Sequence, residues 1–239
     1  MKNLQIQQIN TAIRKKFHSQ LFTRFAKSLN QYGMLKEHET VIVTIDDTAE
    51  SVLCAFLFRE LMWHGKFDFN VIWHAEREPA GYLMELFKEN RIEVVIKDFD
   101  TVISQVSGIK RCLSYECYDE INAYFLGGIL KRSEIKCLMP LEKEGHEDCY
   151  LIRPLYQVHR EDIEKFLTYS GLDDIMLREL SPEITDMQNL ISDLRADNQY
   201  IDSNIFAGME NINKSILLGY TDEEGHHSFL EWYDKYTDI

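Results

Sequence analysis

Proline and glycine are scarce in this sequence, 4 and 11 among 239 residues, which disfavours a disordered or linker-like segment. No internal repeat or low-complexity run interrupts the chain. The longest apolar runs, Val41 to Ile45 and Ser51 to Phe58, fall far short of the roughly 20 residues a membrane span needs. The opening MKNLQIQQIN has no signal-peptide core, so a cytoplasmic location without membrane association is expected. Cysteines are few and odd in number: Cys54, Cys112, Cys117, Cys137 and Cys149 form no CxxC pair. That excludes a disulfide framework and gives no zinc or iron-sulfur rhythm, leaving reduced thiols. Positive charge is also in deficit, 26 Lys and Arg against 40 Asp and Glu, for a formal charge of −14. Such a balance opposes a polyanion on average, although affinity depends on the charges at the contact, so nucleic acid is a disfavoured partner.

What is present is a chain with 45% hydrophobic residues, enough for one well-buried core with an appendage. Ile6, Ile9, Ile13, Phe17, Leu21, Phe25 and Leu29 recur at spacings of three and four, which predicts an amphipathic brace helix ending near Gly33. Its other face carries Arg14, Lys15, Lys16, Arg24 and Lys27; a solvated face and a nucleic-acid contact both fit. β-branched runs follow at Thr40 to Ile45, Phe69 to Trp73, Ile92 to Ile96, Ile109 to Leu113 and Tyr150 to Ile152. Between and after them, helical stretches are expected at Glu50 to Trp63, Ala80 to Asn90, Tyr118 to Lys131 and Arg160 to Tyr169. This alternation predicts an α/β fold with a doubly wound, mainly parallel sheet of about five strands. Residues 1–175 are assigned to that domain and 176–239 to a helical extension packed on it, closing with Phe229, Trp232, Tyr233 and Tyr236.

In doubly wound sheets the first strand-to-helix turn is the usual phosphate cradle. Here it reads VIVTIDDTAESVLCAFLF. With the entry segment IRKKFHSQLFTRFAKSLNQYGML, the stretch MPLEKEGHEDCYLIRPLYQVHREDIEKFLTYSGL, the tail NIFAGMENINKSILLGY and the closing GHHSFLEWY, it resembles the PP-loop ATP pyrophosphatase superfamily, specifically its TtcA-like tRNA 2-thiocytidine branch. The resemblance implies a Rossmann-like adenine-nucleotide fold. It also implies ATP and magnesium as the family's cofactors and tRNA as its substrate.

The departures from the family are in the chemistry. Where the resemblance places SGGKDS, this chain has Asp46, Asp47, Thr48, Ala49, Glu50 and Ser51, of which only the last two remain similar. The cradle's lysine is replaced by Ala49, and both glycines have gained side chains. At about 5 Å and an effective dielectric near 20, each new carboxylate repels a unit phosphate charge by roughly 3 kcal/mol before screening. Asp46 and Asp47 suit turn and capping chemistry, or a bridging magnesium ion. In place of the second signature, HHxDD, stand Glu116, Cys117, Tyr118, Asp119 and Glu120. The acidic pair suits a helix N-terminus as well as it suits chemistry. The cysteines that hold the family's iron-sulfur cluster are missing from both expected places, so no cluster is expected.

The vestigial nucleotide site thus comprises Thr44, Asp46, Asp47, Thr48, Ala49, Glu50, Ser51, His74, Asp119 and Arg153, with no catalytic residue and no metal ligand assigned. Arg153 either points into the cleft or pairs with Asp46 or Asp47. His226 and His227 are adjacent, so in regular structure they point apart and make a poor metal site. The leading expectation is a degenerate, catalytically silent PP-loop protein acting as a homodimer or with a paralogue. One alternative is an ATP- and magnesium-binding enzyme that modifies tRNA or a small substrate. The other is a small-ligand module anchored by Asp46, Asp47, Glu50 and Asp119.

Overall fold

The computed structural model describes residues 2–65 and 67–231. A six-stranded sheet in the order β3-β2-β1-β4-β6-β5 forms its centre. The strands are β1 (Thr40–Thr44), β2 (Asn70–Ala75), β3 (Val94–Ile96), β4 (Lys110–Leu113), β5 (Leu141–Lys143) and β6 (Cys149–Ile152). Pairing is parallel throughout except between β5 and β6. The fold is therefore the expected α/β, doubly wound and mainly parallel, Rossmann-like type, with six strands instead of about five. The extra one is the short antiparallel edge β5, LEK, too brief and too polar to signal itself.

The chain winds outward from β1 through β2 to β3, then returns to lay β4 on the other side of β1. That reversal puts the topological switch point between the carboxyl ends of β1 and β4, where ligands of such sheets bind. Both faces of the sheet are covered. Ile42 and Cys112 pack with Val102 and Ile103 of a short helix, while Val41 and Val43, on the opposite side of the pleat, are equally buried.

The brace is two helices, α1 (Lys2–Thr11) and α2 (Phe22–Gln31), with a π-helical segment Ala12–Lys16 and a turn between them. The single helix expected from the periodicity breaks because its apolar positions serve different partners. Phe17 meets Tyr169 edge-on at 5.8 Å, whereas Phe25 meets Phe58 at 4.9 Å. The backbone absorbs the change of face through wide-turn bonds such as Phe17 N–H to Ala12 O at 2.8 Å. The basic side chains are largely engaged internally: Arg14 on Glu60, Arg24 on Asp162 and Lys16 over the Tyr169 ring.

Then come α3 (Ala49–His64), α4 (Gly81–Glu89), the unanticipated α5 (Phe99–Gln105), α6 (Tyr118–Arg132) and α7 (Arg160–Ser170). Helices α3 and α7 stop at left-handed glycines, Gly65 and Gly171. Helix α8 (Pro182–Arg195) packs on α6 at Gly127, where a Cβ would lie 3.0 Å from Glu183 Oε1.

Two compact units divide after Ser192. The second holds α9 (Ile201–Glu210) and a hairpin of β7 (Gly219–Asp222) and β8 (Gly225–Ser228), so the tail is helical only in part. In β8, His226 turns to Thr221, while His227 sits between Asp222 and Glu231. Those carboxylates, Asp222 first, hold the His227 imidazole above its ordinary pKa. The closing residues Trp232, Tyr233 and Tyr236 lie outside the described residues. Among the described residues no helix is long and apolar enough to cross a membrane.

Candidate functional site

The crevice at the switch point is framed by the N-termini of α3 and α6. Asp46 and Thr48 build the α3 entry. Asp46 Oδ1 accepts from the Thr48 N–H at 3.1 Å and from its hydroxyl at 2.6 Å, and the extended Thr48 caps the helix by accepting from Ser51 N–H at 3.4 Å. Ser51 Oγ donates to Thr48 O at 3.0 Å and accepts from Asp46 N–H at 3.3 Å. Asp47 has a left-handed backbone, φ 64°, at a position the resemblance matches to glycine. Aspartate tolerates that conformation, so the turn survives without glycine. Its Oδ1 accepts from Ala80 N–H at 3.4 Å.

The cradle is filled by the chain itself. A strap after α7, residues 171–181, crosses the α3 N-terminus, where Ala49 N–H donates to Met176 O at 2.9 Å. Glu50, fully buried, accepts from Arg178 N–H at 2.9 Å and from Arg160 Nη1 at 3.3 Å. Across the crevice Glu120 takes the Arg178 guanidinium and lies 3.6 Å from Arg160. Burial raises the Glu120 pKa, against the pull of Arg178 and Arg160. Arg160 also donates to Arg178 O at 2.8 Å, tying strap to helix. Two carboxylates and two guanidinium groups thus neutralise one another at the heads of α3 and α6. An incoming anion would have to displace the strap and then face Asp46 and Asp47.

Other expected site residues are likewise engaged. Asp119 accepts from Arg160 N–H at 2.8 Å, so two of the four anchors of an acidic cleft, Glu50 and Asp119, already hold protein donors. His74 is wholly buried and lines no cleft. Its Nε2–H donates to Lys97 O at 2.8 Å, leaving Nδ1 to accept from the Thr44 hydroxyl of the neighbouring strand at 3.2 Å. The pairing of Arg153 with Asp46 or Asp47 does not form. Its guanidinium donates to Glu116 at 3.0 Å and Glu142 at 2.6 Å, because β6 stands two strands from β1, beside the β5 edge that carries Glu142. Tyr115, whose hydroxyl donates to Thr44 O, closes the floor between β1 and β4.

Arg160 and Arg178 are the site residues that the sequence reading missed. Arg160 opens a helix, where the dipole disfavours a cation, and that misplacement was the available signal. Arg178 lies in an irregular segment and gave none. A groove of about 810 Å³ borders the strap, lined by Arg160, Met176, Arg178 and Leu180 among others.

The cysteines do not fit a thiolate-held cluster. Cys112 and Cys149 meet at 2.9 Å beneath α5, Cys117 donates to Glu120 at the head of α6, and Cys54 is inside α3. Burial pushes the Cys54, Cys112 and Cys117 thiols well above the ordinary thiol pKa, away from the thiolate form that binds metal. Among the described residues no group of three or more His, Cys, Asp or Glu is placed to hold a metal ion.

No protein-family model and no curated protein matches the chain. Among solved structures it is similar to the U34-tRNA thiolase NcsA from Methanococcus maripaludis, determined with its 4Fe-4S cluster. The TM-score is 0.56 at 11% sequence identity, over 82% of this chain and 80% of that one. At that identity the likeness is one of fold.

Proposed function

We propose that this chain is a catalytically silent relative of the TtcA-like, tRNA-thiolating PP-loop proteins, keeping their fold and acting by association with a second copy or a paralogue. The observation that carries the reading is the self-filled cradle: Met176 O on the α3 N-terminus, with Arg160 and Arg178 closed over Glu50 and Glu120. Cleaving a polyphosphate needs positive charge that is free to follow the charge developing on the substrate. Here the guanidinium groups are spent on the protein's own carboxylates, and the position of the family's lysine is Ala49. The similarity to a tRNA thiolase supports the fold-level part of this reading.

The competing reading is nucleotide bound through magnesium at Asp46 and Asp47. It draws on the exposure of Asp46, beside Asp47, at the mouth of the crevice. A thermal-shift titration with magnesium and ATP separates the two. Saturation at 100 times the dissociation constant adds about 2.7 kcal/mol, which raises the midpoint of a chain this size by roughly 5 to 10 °C. The silent reading expects no shift at millimolar ATP. A shift of that size, abolished by Asp46→Ala with Asp47→Ala, overturns it in favour of the metal-bridged nucleotide.

A further inference from the structure

At the far end of α3, fourteen residues and about 21 Å from the crevice, lies a second concentration of arginine. A cavity of about 220 Å³ is lined by Asn10, Arg14, Arg59, Trp63, Glu89 and Arg91, together with Ile6 and Asn90. The Trp63 ring has Arg14 at 5.0 Å and Arg91 at 5.9 Å from its centroid. Of the three guanidinium groups only Arg14 is hydrogen-bonded to a carboxylate among the described residues, bidentate on Glu60 at 2.7 to 2.9 Å, and Arg59 shares that carboxylate at the longer distance of 3.6 Å.

Arg59 is buried, 8% exposed, and its terminal nitrogens donate to the neutral amide oxygens of Asn90 at 2.5 Å and Asn10 at 2.7 Å. Its Nε–H is buried without an acceptor. Its one ion pair among the described residues, with Glu60 at 3.6 Å, is to a carboxylate already bound to Arg14. Arg91 stands on a left-handed backbone, φ 60°, and makes no carboxylate ion pair among the described residues. Setting Glu60 against Arg14 and Glu89 against one of the others leaves one net positive charge, on a chain whose formal charge is −14. A desolvated guanidinium with an unsatisfied donor is costly unless something supplies the acceptor.

We propose that this pocket binds a phosphate group, as inorganic phosphate or as the head of a small phosphomonoester. Guanidinium forks match phosphate oxygens in planar, charge-assisted pairs, and a tetrahedral oxyanion offers acceptors to Arg59 Nε–H and Arg91 together. At about 220 Å³ the pocket is smaller than the roughly 300 to 1,000 Å³ of sites for drug-sized molecules, which suits a small oxyanion or the phosphate end of an ester.

The test is equilibrium dialysis of the full chain against radiolabelled inorganic phosphate, up to about 10 mM, ten times a millimolar dissociation constant. One saturable site is expected. Arg91→Glu, on the surface, and Arg59→Lys, which keeps the charge but removes the Nε–H, should each weaken it by about tenfold or more, roughly 1.4 kcal/mol. Both variants are compared with wild type by circular dichroism and urea midpoint to establish folding. Glycerol phosphate competing at lower concentration than inorganic phosphate identifies an ester as the ligand, and the reverse order identifies the free ion. Absence of saturable binding overturns the proposal, as does binding that Arg91→Glu leaves undiminished. The outcome is separable from that of the ATP titration: an ATP shift lost in Arg91→Glu but kept in the Asp46, Asp47 double variant belongs to this pocket.

Discussion

Arg160 opens α7, where the exposed N–H groups of a helix favour an anion. It is tolerated there because Glu50 and Glu120 reach it from α3 and α6. Removing one partner of a buried charge group leaves the other desolvated and uncompensated, the costly case. Arg160→Met is therefore expected to lower stability by about 2 to 4 kcal/mol, the remaining Arg178 holding the loss below that of an isolated pair. A fall in urea midpoint at unchanged slope would show it, and Glu50→Gln added to the same chain should restore part of the loss. An unchanged midpoint would mean that the cluster contributes nothing to closing the crevice. At this scale the sequence was partly legible. The carboxylates at the two helix heads and the capping role of Asp46 and Thr48 follow from residue type and position. Their cationic partners, 110 and 128 residues away from Glu50, do not. Arg153 shows the same limit, since its choice of Glu142 depends on an edge strand that has no sequence signature.

Among the elements, those with a strong apolar pattern were readable to within a residue or two. Strand β1 and helices α3 and α6 carry dense apolar runs, α7 sets Ile163, Phe166 and Leu167 at helical spacing, and α3 and α7 have left-handed glycine stops. What escaped were elements defined by tertiary contact: the break between α1 and α2, short α5, edge β5 and the β7–β8 hairpin. Helix α6 yields a prediction of the same kind. Alanine in place of a mid-helix glycine ordinarily gains up to about 1 kcal/mol. At Gly128, however, a Cβ would meet Glu134 O at 2.8 Å, and that backbone is itself tied to Gly128 O through the Glu134 N–H at 3.0 Å. Overpacking against backbone costs about 1 to 3 kcal/mol, so Gly128→Ala should lower the melting midpoint by several degrees. Gly208 in α9 has no atom within 4 Å of its Cβ position, and Gly208→Ala should be neutral or stabilising. The opposite order of the two midpoints would refute the argument from close approach.

For the whole molecule, the sheet order places the crevice but does not say which surface does the work once the crevice is closed. The end of α6 and the loop after it expose Ile129, Leu130, Ile135 and Met139, at 41%, 56%, 56% and 53%. Single exposed apolar residues are ordinary, but four within eleven positions are the beginning of a contact surface. A stable interface buries about 1,200 to 2,000 Å² in total, so these four would be its apolar centre, with polar neighbours completing the rim. If the chain acts by self-association, light scattering after size exclusion should give twice the 28.2 kDa chain mass at micromolar concentration. Leu130→Glu with Ile135→Glu should then return it to the single-chain mass. Each lost apolar contact is worth about 1.5 kcal/mol or more, so the pair weakens association by at least a hundredfold. A wild-type chain that stays at the single mass at every concentration rules out the homodimer and leaves a paralogue as the partner. A dimer indifferent to the double substitution places the interface elsewhere on the molecule.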